Sequence, residues 1–247
     1  MIQLIELTKN FGQLVAVNHV NLHVKRGEIF GFLGPNGAGK TTTIKMLTGL
    51  LKPTSGKALI DGYDVVSHPM EAKQVIGFIP DQPFIYEKLT GVEFLKFIGS
   101  LFGMKKEDIQ WRSSDLLSLF ELDGWGEELI ESYSHGMKQR LVMSAALLHN
   151  PKVIIVDEPM VGLDPKGINL VKSVFRQKSR EGVTIFLSTH TLEIAQELCH
   201  RLGIVNRGKL IAMGTLSELM TALEEETGQT GTLESLFLTL TGKSLDE

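Results

Sequence analysis

The sequence predicts an α/β fold in which a helical segment is inserted into a core of buried strands. Three kinds of pattern indicate this. Apolar stretches such as VIGFIP (75–80), KVIIVDEP (152–159) and VTIFLSTH (183–190) have the length and composition of buried parallel strands. Between about residues 86 and 150, helical periodicity takes over, as in GVEFLKFIGSLFGM. The first 30 residues instead predict short strands, with alternating apolar side chains in VNLHVKRGEIF.

The remaining elements follow from local patterns. The stretch GKTTTIKMLTGLL (39–51) predicts a helix after a glycine-rich loop, and GINLVKSVFRQKSREG predicts a helix that ends at Gly182. Hairpins are predicted at Asp61–Gly62 and across 206–208. From about residue 215 we expect a polar helical tail, with LEEETGQTG (223–231) as a loop. This gives one domain over 1–240: a core of 1–85 and 151–214, a helical subdomain of 86–150, and a short tail of 215–247.

Composition excludes several classes of protein. The 247-residue chain has a formal net charge of −4, which argues against a broad nucleic-acid-binding surface. Its single cysteine cannot form an internal disulfide, which favours a reducing compartment. We find neither a signal-peptide pattern nor an apolar run of the ~18 residues that a membrane span needs. We therefore expect a cytoplasmic protein whose membrane spans, if it works at a membrane, lie on another chain.

A phosphate-binding loop is indicated by GPNGAGKTT (34–42), which fits the pattern G-x-x-x-x-G-K-[ST]. Glycines let successive backbone N–H groups point at phosphate oxygens, and the following helix adds its positive end. Lys40 is placed to reach the β- and γ-phosphates, and the Thr41 hydroxyl to hold Mg²⁺. The nucleotide-binding residues predicted here are Gly34, Pro35, Asn36, Gly37, Ala38, Gly39, Lys40, Thr41 and Thr42.

Two carboxylates follow the strand VIIV. At the carboxyl end of a parallel strand, Asp157 is placed to hold Mg²⁺ through water. Glu158 is its neighbour, so in a strand its side chain points the other way. There it could orient a water molecule or act as a general base. The alternative is a solvated strand end with no role in chemistry.

The stretch YSHGMKQR (133–140) raises a different possibility, because Ser134 directly precedes His135. Adjacent side chains diverge on a helix or a strand, so the two are poorly placed as a nucleophile and its base. A serine before an apolar helical run is instead a favoured helix N-cap, where exposed N–H groups attract phosphate.

Taken together and in this order, the motifs resemble those of the ATP-binding subunits of ATP-binding cassette (ABC) transporters, over residues 2–240. The DEP stretch is followed by GLDP, which resembles the family's D-loop, and YSHGMKQR occupies the position of its signature sequence. The resemblance adds Phe11 against adenine, Gln82 as the Q-loop glutamine and metal ligand, Asp164 of the D-loop, His190 as the switch histidine, and Ser134 and Gly136 as contacts to the γ-phosphate of the other subunit. Without those motifs, His190 would be interpreted as a core histidine.

The signature departs from the family's common Leu-Ser-Gly-Gly-Gln. Tyr133 replaces Leu, His135 replaces the first Gly, and Met137 replaces Gln. The Ser-His-Gly-Met form resembles the branch that exports drugs, peptides and antibiotics. The stretch TLESLFLTLTG near the C-terminus is similar to the tails of exporter-type cassettes. The substrate itself is not encoded in these motifs.

The resemblance implies an ATPase with the ABC fold, an α/β P-loop NTPase core with an antiparallel β subdomain and an inserted α-helical subdomain. In it Glu158, His190 and Lys40 are catalytic. Its cofactors would be ATP and Mg²⁺. Its partners would be a separate membrane permease and a second cassette, identical or related, and its location the inner face of the cell membrane. One alternative is a soluble ABC ATPase acting on ribosomes or nucleic acid, although such relatives usually carry two cassettes or a coiled-coil insert. Another is a regulatory nucleotide-binding module without turnover.

Overall fold

The computed structural model describes residues 1–160, 162–227 and 232–242. Its strands are β1 (Ile2–Phe11), β2 (Leu14–Val24), β3 (Ile29–Leu33), β4 (Ser55–Ile60), β5 (Tyr63–Asp64), β6 (Ile76–Ile79), β7 (Val153–Asp157), β8 (Thr184–Thr189), β9 (Arg201–Asn206) and β10 (Lys209–Gly214). Its α-helices are α1 (Lys40–Leu47), α2 (Pro69–Gln74), α3 (Gly91–Leu101), α4 (Lys106–Leu119), α5 (His135–Leu147), α6 (Pro165–Arg180), α7 (Leu192–Leu198), α8 (Leu216–Thr227) and α9 (Leu233–Thr241). Single 3₁₀ turns lie at Asp123–Trp125 and Ile130–Ser132.

Two sheets organise the fold. The larger has the strand order β10-β9-β3-β8-β7-β6, and its strands from β9 to β6 pair in parallel. The smaller is antiparallel, in the order β2-β1-β4-β5. Because parallel strands end at the same edge, the segments after β3, β7 and β8 meet there, and these are the segments that carry the predicted site. The predicted mixed α/β fold with an antiparallel sheet is confirmed.

The strands of residues 1–30 are longer than predicted. β1 and β2 contain 10 and 11 residues, and their pairing is interrupted by register shifts. Glu6 and His19 have positive φ values of 49° and 51° beside these shifts. Bulges of this kind interrupt the apolar and polar alternation without ending the strand, so the pattern underestimates strand length.

Helices α3 to α5 lie between β6 and β7 in the chain. They pack on one apolar core with helix α6 and the buried faces of β7 and β8. Helix α3 begins at a capping box, in which Thr90 accepts a hydrogen bond from the Glu93 N–H and Glu93 accepts one from Thr90. The arrangement accords with an inserted helical subdomain, whose limits near residues 86 and 150 stay a prediction.

The C-terminal segment corrects two expectations. It is helical, as predicted, but it is not simply polar: Leu219, Leu223 and Phe237 are buried against β9 and the end of β3. Helix α8 continues to Thr227, so residues 223–227 are helical rather than part of a loop. Burial of Leu219 and Leu223 favours a continuous amphipathic helix here. Residues 228–231 and 243–247 lie outside the described part of the chain.

Candidate nucleotide site

The phosphate loop leaves β3 at Leu33 and enters α1 at Lys40. Two of its glycines have the left-handed backbone that favours glycine, with φ of 77° at Gly37 and 105° at Gly39. A Cβ on Gly39 would lie 2.5 Å from the Ala16 carbonyl oxygen, so no other residue fits there without a shift. The loop thus curls into the start of α1, and no side chain caps this helix end, which is the geometry that binds phosphate.

Lys40 is the cation of this loop. Its side chain is largely buried, and Nζ donates hydrogen bonds to the carbonyl oxygens of Gly34 at 2.6 Å and Pro35 at 3.3 Å. Burial lowers the pKa of Lys40, and the negative charges of Glu158 and Asp157 oppose this shift. The ammonium group thus lies over the loop and within the electrostatic reach of both predicted carboxylates.

A cavity of about 470 Å³ adjoins the loop. Its walls include Phe11, the last residue of β1, together with the loop from Pro35 to Thr42. Phe11 is 48% exposed, and the Lys9 ammonium lies 5.2 Å from its ring centroid. The structure therefore brings the predicted aromatic and the predicted phosphate loop to one cavity. The lining also includes residues that sequence reasoning missed: Leu14, Val15, Ala16, Arg207 and Gly208.

Asp157 ends β7 at the same sheet edge and is 5% exposed. Burial raises the pKa of its carboxyl group, while the Thr41 hydroxyl and the Lys40 ammonium favour the ionised form. Asp157 and Thr41 thus form a pair of hard oxygen donors beside the loop, the ligand type that suits Mg²⁺. Within the described residues no group of three or more His, Cys, Asp or Glu side chains could hold a metal alone. A cation here would need further ligands from nucleotide and water.

Glu158 is directed toward His190. Its Oε1 lies 2.9 Å from His190 Nδ1, and its Oε2 accepts a 3.4 Å hydrogen bond from the His190 N–H. Glu158 was expected to point away from Asp157 because both would lie in a strand, but Glu158 lies outside the strand. β7 ends at Asp157, and Glu158 has φ of 48°, a left-handed conformation uncommon for residues other than glycine. Its N–H donates to the Ser188 carbonyl at 3.1 Å.

Gln82 lies in the loop that follows β6. Because β6 pairs in parallel with β7, with Ile79 opposite Val156, this loop emerges at the same edge as Asp157. Gln82 is exposed and does not line the nucleotide cavity. The structure therefore places it at the correct edge without bringing it to the phosphate loop.

Ser134 and Asp164 begin two helices as caps. The Ser134 hydroxyl accepts a 3.3 Å hydrogen bond from the Met137 N–H at the start of α5, and Asp164 accepts one of 2.9 Å from the Gly167 N–H at the start of α6. Ser134 is exposed, as expected for a helix end that meets a ligand. Neither residue, nor Gly136, lines the cavity beside the phosphate loop of the same chain.

The unusual His135 contacts the segment before Asp164. A Cβ added to Gly162 would lie 2.1 Å from His135 Cδ2, so the imidazole occupies the space that any larger residue at 162 would need. The substituted signature position is therefore accommodated by a glycine within the same chain.

The sequence profile of the ABC transporter family matches residues 17–161. The chain belongs to the ABC transporter family. The predicted family, the ABC ATPase fold and the prediction of an ATP-binding, ATP-hydrolysing cassette are thereby confirmed. No helix among the described residues is long and apolar enough to cross a bilayer.

Two relatives illustrate the similarity. The linearmycin resistance ATP-binding protein LnrL of Bacillus subtilis is 37% identical over 92% of this chain and 73% of its own length. The probable multidrug ABC transporter ATP-binding protein YbhF of Escherichia coli is 39% identical over 95% of this chain. This chain spans only 40% of the length of YbhF.

Solved structures of ATP-binding cassettes have the same fold as this chain. The ATP-binding subunit of an ABC transporter superposes with a TM-score of 0.89 at 32% identity, covering 97% of this chain and 99% of that one. The ATP-binding cassette MJ0796, solved as a dimer in a post-hydrolysis state with ADP and Pi, superposes with a TM-score of 0.77 at 27% identity. That match covers 87% of this chain and 98% of MJ0796.

Proposed function

We propose that this ATPase powers export of a substrate through a separate membrane-spanning subunit, and that two cassettes share each ATP. The observation that carries the proposal is the division of the predicted site. The phosphate loop, Asp157, Glu158 and His190 gather at one sheet edge, whereas the exposed cap Ser134 starts a helix that does not line the same cavity. A second cassette is needed to bring a Ser134 to the γ-phosphate.

Nucleotide binding follows from the cavity. The exposed ring of Phe11 offers a face on which adenine stacks, and the loop between Pro35 and Thr42 offers N–H groups to the phosphates. Lys40 already donates to two loop carbonyls, so its ammonium can turn to the β- and γ-phosphates without leaving the loop.

The metal-binding role falls to Thr41 and Asp157, with Gln82 moving in from its exposed loop. A Mg²⁺ ion held by these residues would supply positive charge that neutralises the phosphates. The Thr41 hydroxyl is already close enough to Asp157 to favour its ionised form. For the carboxylate of Asp157 to act as a ligand it must be ionised, and the buried environment makes that pH-dependent.

Hydrolysis is assigned to Glu158. Its carboxylate orients a water in line with the γ-phosphorus and accepts the water proton as the new O–P bond forms and the bond to the β-phosphate oxygen breaks. His190 holds this carboxylate through Nδ1 and its backbone N–H, which leaves Nε2 to contact the γ-phosphate. Lys40 and His190 together stabilise the charge on the transferring group.

The second cassette contributes Ser134, Gly136 and Asp164. The Ser134 hydroxyl and the N–H groups at the start of α5 suit a γ-phosphate, since the positive end of a helix attracts anions. The dimeric MJ0796 cassette supports this arrangement by its similarity. The partner is a second copy of this chain or a related cassette.

Export, the permease and the location belong to the same proposal. LnrL is named for linearmycin resistance and YbhF for multidrug transport, and both support export of an antibiotic-like or drug-like substrate. The subunit would then lie peripherally on the inner face of the cell membrane. No observation favours the ribosome or nucleic-acid alternative, and the net charge of −4 argues against a broad basic surface for one.

A tagged pull-down from detergent-solubilised membranes, with every co-purifying chain identified, tests this proposal. A stoichiometric multi-span partner, retained in the Glu158→Gln variant with ATP, is the expected result. Ribosomal proteins or nucleic acid without a membrane chain would contradict it. A parallel purification of the Lys40→Ala variant shows whether association depends on nucleotide binding.

A further inference from the structure

The hairpin turn between β9 and β10 lies on the nucleotide cavity. Arg207 and Gly208 both line that cavity together with Phe11 and the phosphate loop. Arg207 also lines a second, smaller cavity of about 160 Å³, together with Asn36 and Gly37 of the loop. We propose that Arg207 is a nucleotide-binding residue whose guanidinium contacts the phosphate chain. This inference rests on the ATP-binding role of the same site.

The turn has a strained geometry at this arginine. Asn206 and Lys209 pair across the hairpin, which leaves Arg207 and Gly208 as a two-residue loop with φ of 47° and 77°. Two positive φ values are the mark of a type I′ turn, where Asn or Gly is favoured at the first position. Arginine there is at a disadvantage, so folding alone would select another residue. A strained residue next to a ligand cavity points to a role in binding.

The turn is anchored directly to the phosphate loop. The Gly208 N–H donates to the Ala38 carbonyl at 3.0 Å, and the Gly208 carbonyl accepts from the Asn18 N–H at 2.8 Å. On the other side, Asn206 Nδ2 donates to the Thr241 carbonyl at the end of α9 at 3.3 Å. The backbone of Arg207 is therefore held in a fixed position relative to the loop, and only its side chain is free to adjust.

The charges around the cavity also favour a phosphate ligand. The lining of the cavity contains two cations, Lys40 and Arg207, and no carboxylate. Within the part of the chain that the structure describes, Arg207 takes part in none of the ion pairs. An unpaired guanidinium matches the geometry of phosphate oxygens, to which it donates two parallel hydrogen bonds. Adenine has no anionic group, so the phosphates are the part of the nucleotide that Arg207 contacts.

The test separates binding from turn stability. Arg207→Asn removes the guanidinium and installs a residue that tolerates positive φ, so the unfolding free energy should stay the same or rise. Binding of the fluorescent analogues mant-ATP and mant-ADP should weaken roughly fivefold to tenfold. Arg207→Lys keeps the charge but cannot donate two parallel hydrogen bonds. Its affinity for both analogues should lie between those of Arg207→Asn and the wild type.

Lys209→Asn is the matched control, because it removes the same charge from an exposed position in the same hairpin that does not line the cavity. It should leave both affinities unchanged. If Arg207→Asn binds both analogues as the wild type does, or if Lys209→Asn weakens them equally, Arg207 is not a ligand. Lys40→Ala should abolish binding in the same assay. A wild type that does not bind mant-ATP would overturn the ATP-binding role as well.

Discussion

The Glu158 carboxylate and the His190 imidazole form a pair 2.9 Å apart, although 32 residues separate them in the chain. The pair exists because β7 and β8 are parallel neighbours, with Asp157 opposite Ser188, so that the chain emerges from both strands at one edge. The positive φ of Glu158 turns its side chain toward His190. We infer that the strain at Glu158 is retained because it positions a general base.

The first prediction concerns Glu158 itself. Glu158→Gln is nearly isosteric and keeps an oxygen for His190, but it cannot accept the water proton. We expect the ATPase rate to fall at least ~100-fold while mant-ATP affinity stays within a factor of about two. With ATP, light scattering should show a stable dimer. A variant that stays monomeric with ATP, or that hydrolyses ATP at the wild-type rate, would contradict the assignment.

The second prediction concerns coupling between Glu158 and His190. If His190 acts partly by holding the carboxylate, Glu158→Gln, His190→Ala and the double variant should be non-additive. We expect the double variant to lose little more activity than Glu158→Gln alone. Single-turnover hydrolysis measures this, because it isolates the chemical step. Strictly multiplicative losses would show that the two residues act independently.

The third prediction concerns the metal. Because Thr41, Asp157 and the incoming Gln82 offer too few protein oxygen donors to complete an octahedral site, binding of Mg²⁺ requires nucleotide phosphates. We expect EDTA to abolish hydrolysis, whereas mant-ATP still binds with reduced affinity. Asp157→Asn should raise the Mg²⁺ concentration needed for half-maximal activity by about tenfold. Hydrolysis that persists in EDTA would show that the reaction needs no metal, which would contradict the role of Asp157 as a metal ligand.

The fourth prediction concerns stability and pH through His149. Its ring stacks on Phe102 with centroids 3.7 Å apart, and its Nε2 is 2.9 Å from the Ile76 carbonyl oxygen. Burial lowers the pKa of His149 from 6.5 to about 4. The folded protein therefore holds the neutral imidazole, whose stabilising effect is complete above pH 6.5 and is lost as pH falls toward 4.

Urea unfolding at pH 7.5 and pH 4.5 measures this effect. Relative to the wild type, His149→Gln should lose less unfolding free energy between the two pH values, by an amount on the order of 2 kcal/mol. Gln keeps a donor for the Ile76 carbonyl but does not titrate. Equal losses in both proteins would show that His149 is not the group that senses this change.

The sequence predicted the chemistry of the site better than its assembly. The phosphate loop and the VIIVDE stretch could be predicted because their patterns, glycine spacing and the end of an apolar strand, lie within a few consecutive residues. Arg207 was predicted only as part of a hairpin. Its place beside the loop depends on the Gly208 to Ala38 hydrogen bond, which joins residues far apart in sequence. No local pattern encodes such docking.

The tail shows the same limit for the fold. LEEETGQTG was predicted as a loop, yet Leu223 is 3% exposed in α8. Whether a polar stretch stays helical depends on what its few apolar residues pack against, and here these contacts come from β9 and the end of β3. Secondary structure in such segments is decided by tertiary contacts.

The central claim is that each ATP is shared by two cassettes, with the phosphate loop from one and Ser134 from the other. Mixing two inactive variants tests it. Lys40→Ala removes the loop cation, and Ser134→Asp keeps an N-cap while repelling phosphate. Ser134→Asn, which keeps both the cap and neutrality, is the control and should retain more activity than Ser134→Asp.

A mixed dimer of the two variants has one site with both defects and one intact site. We therefore predict that the mixture hydrolyses ATP faster than the sum of the two variants measured separately, approaching half of the wild-type rate per mixed dimer. Activity that never exceeds that sum, although mixed dimers form, would contradict a shared site and would place all catalytic residues within one chain.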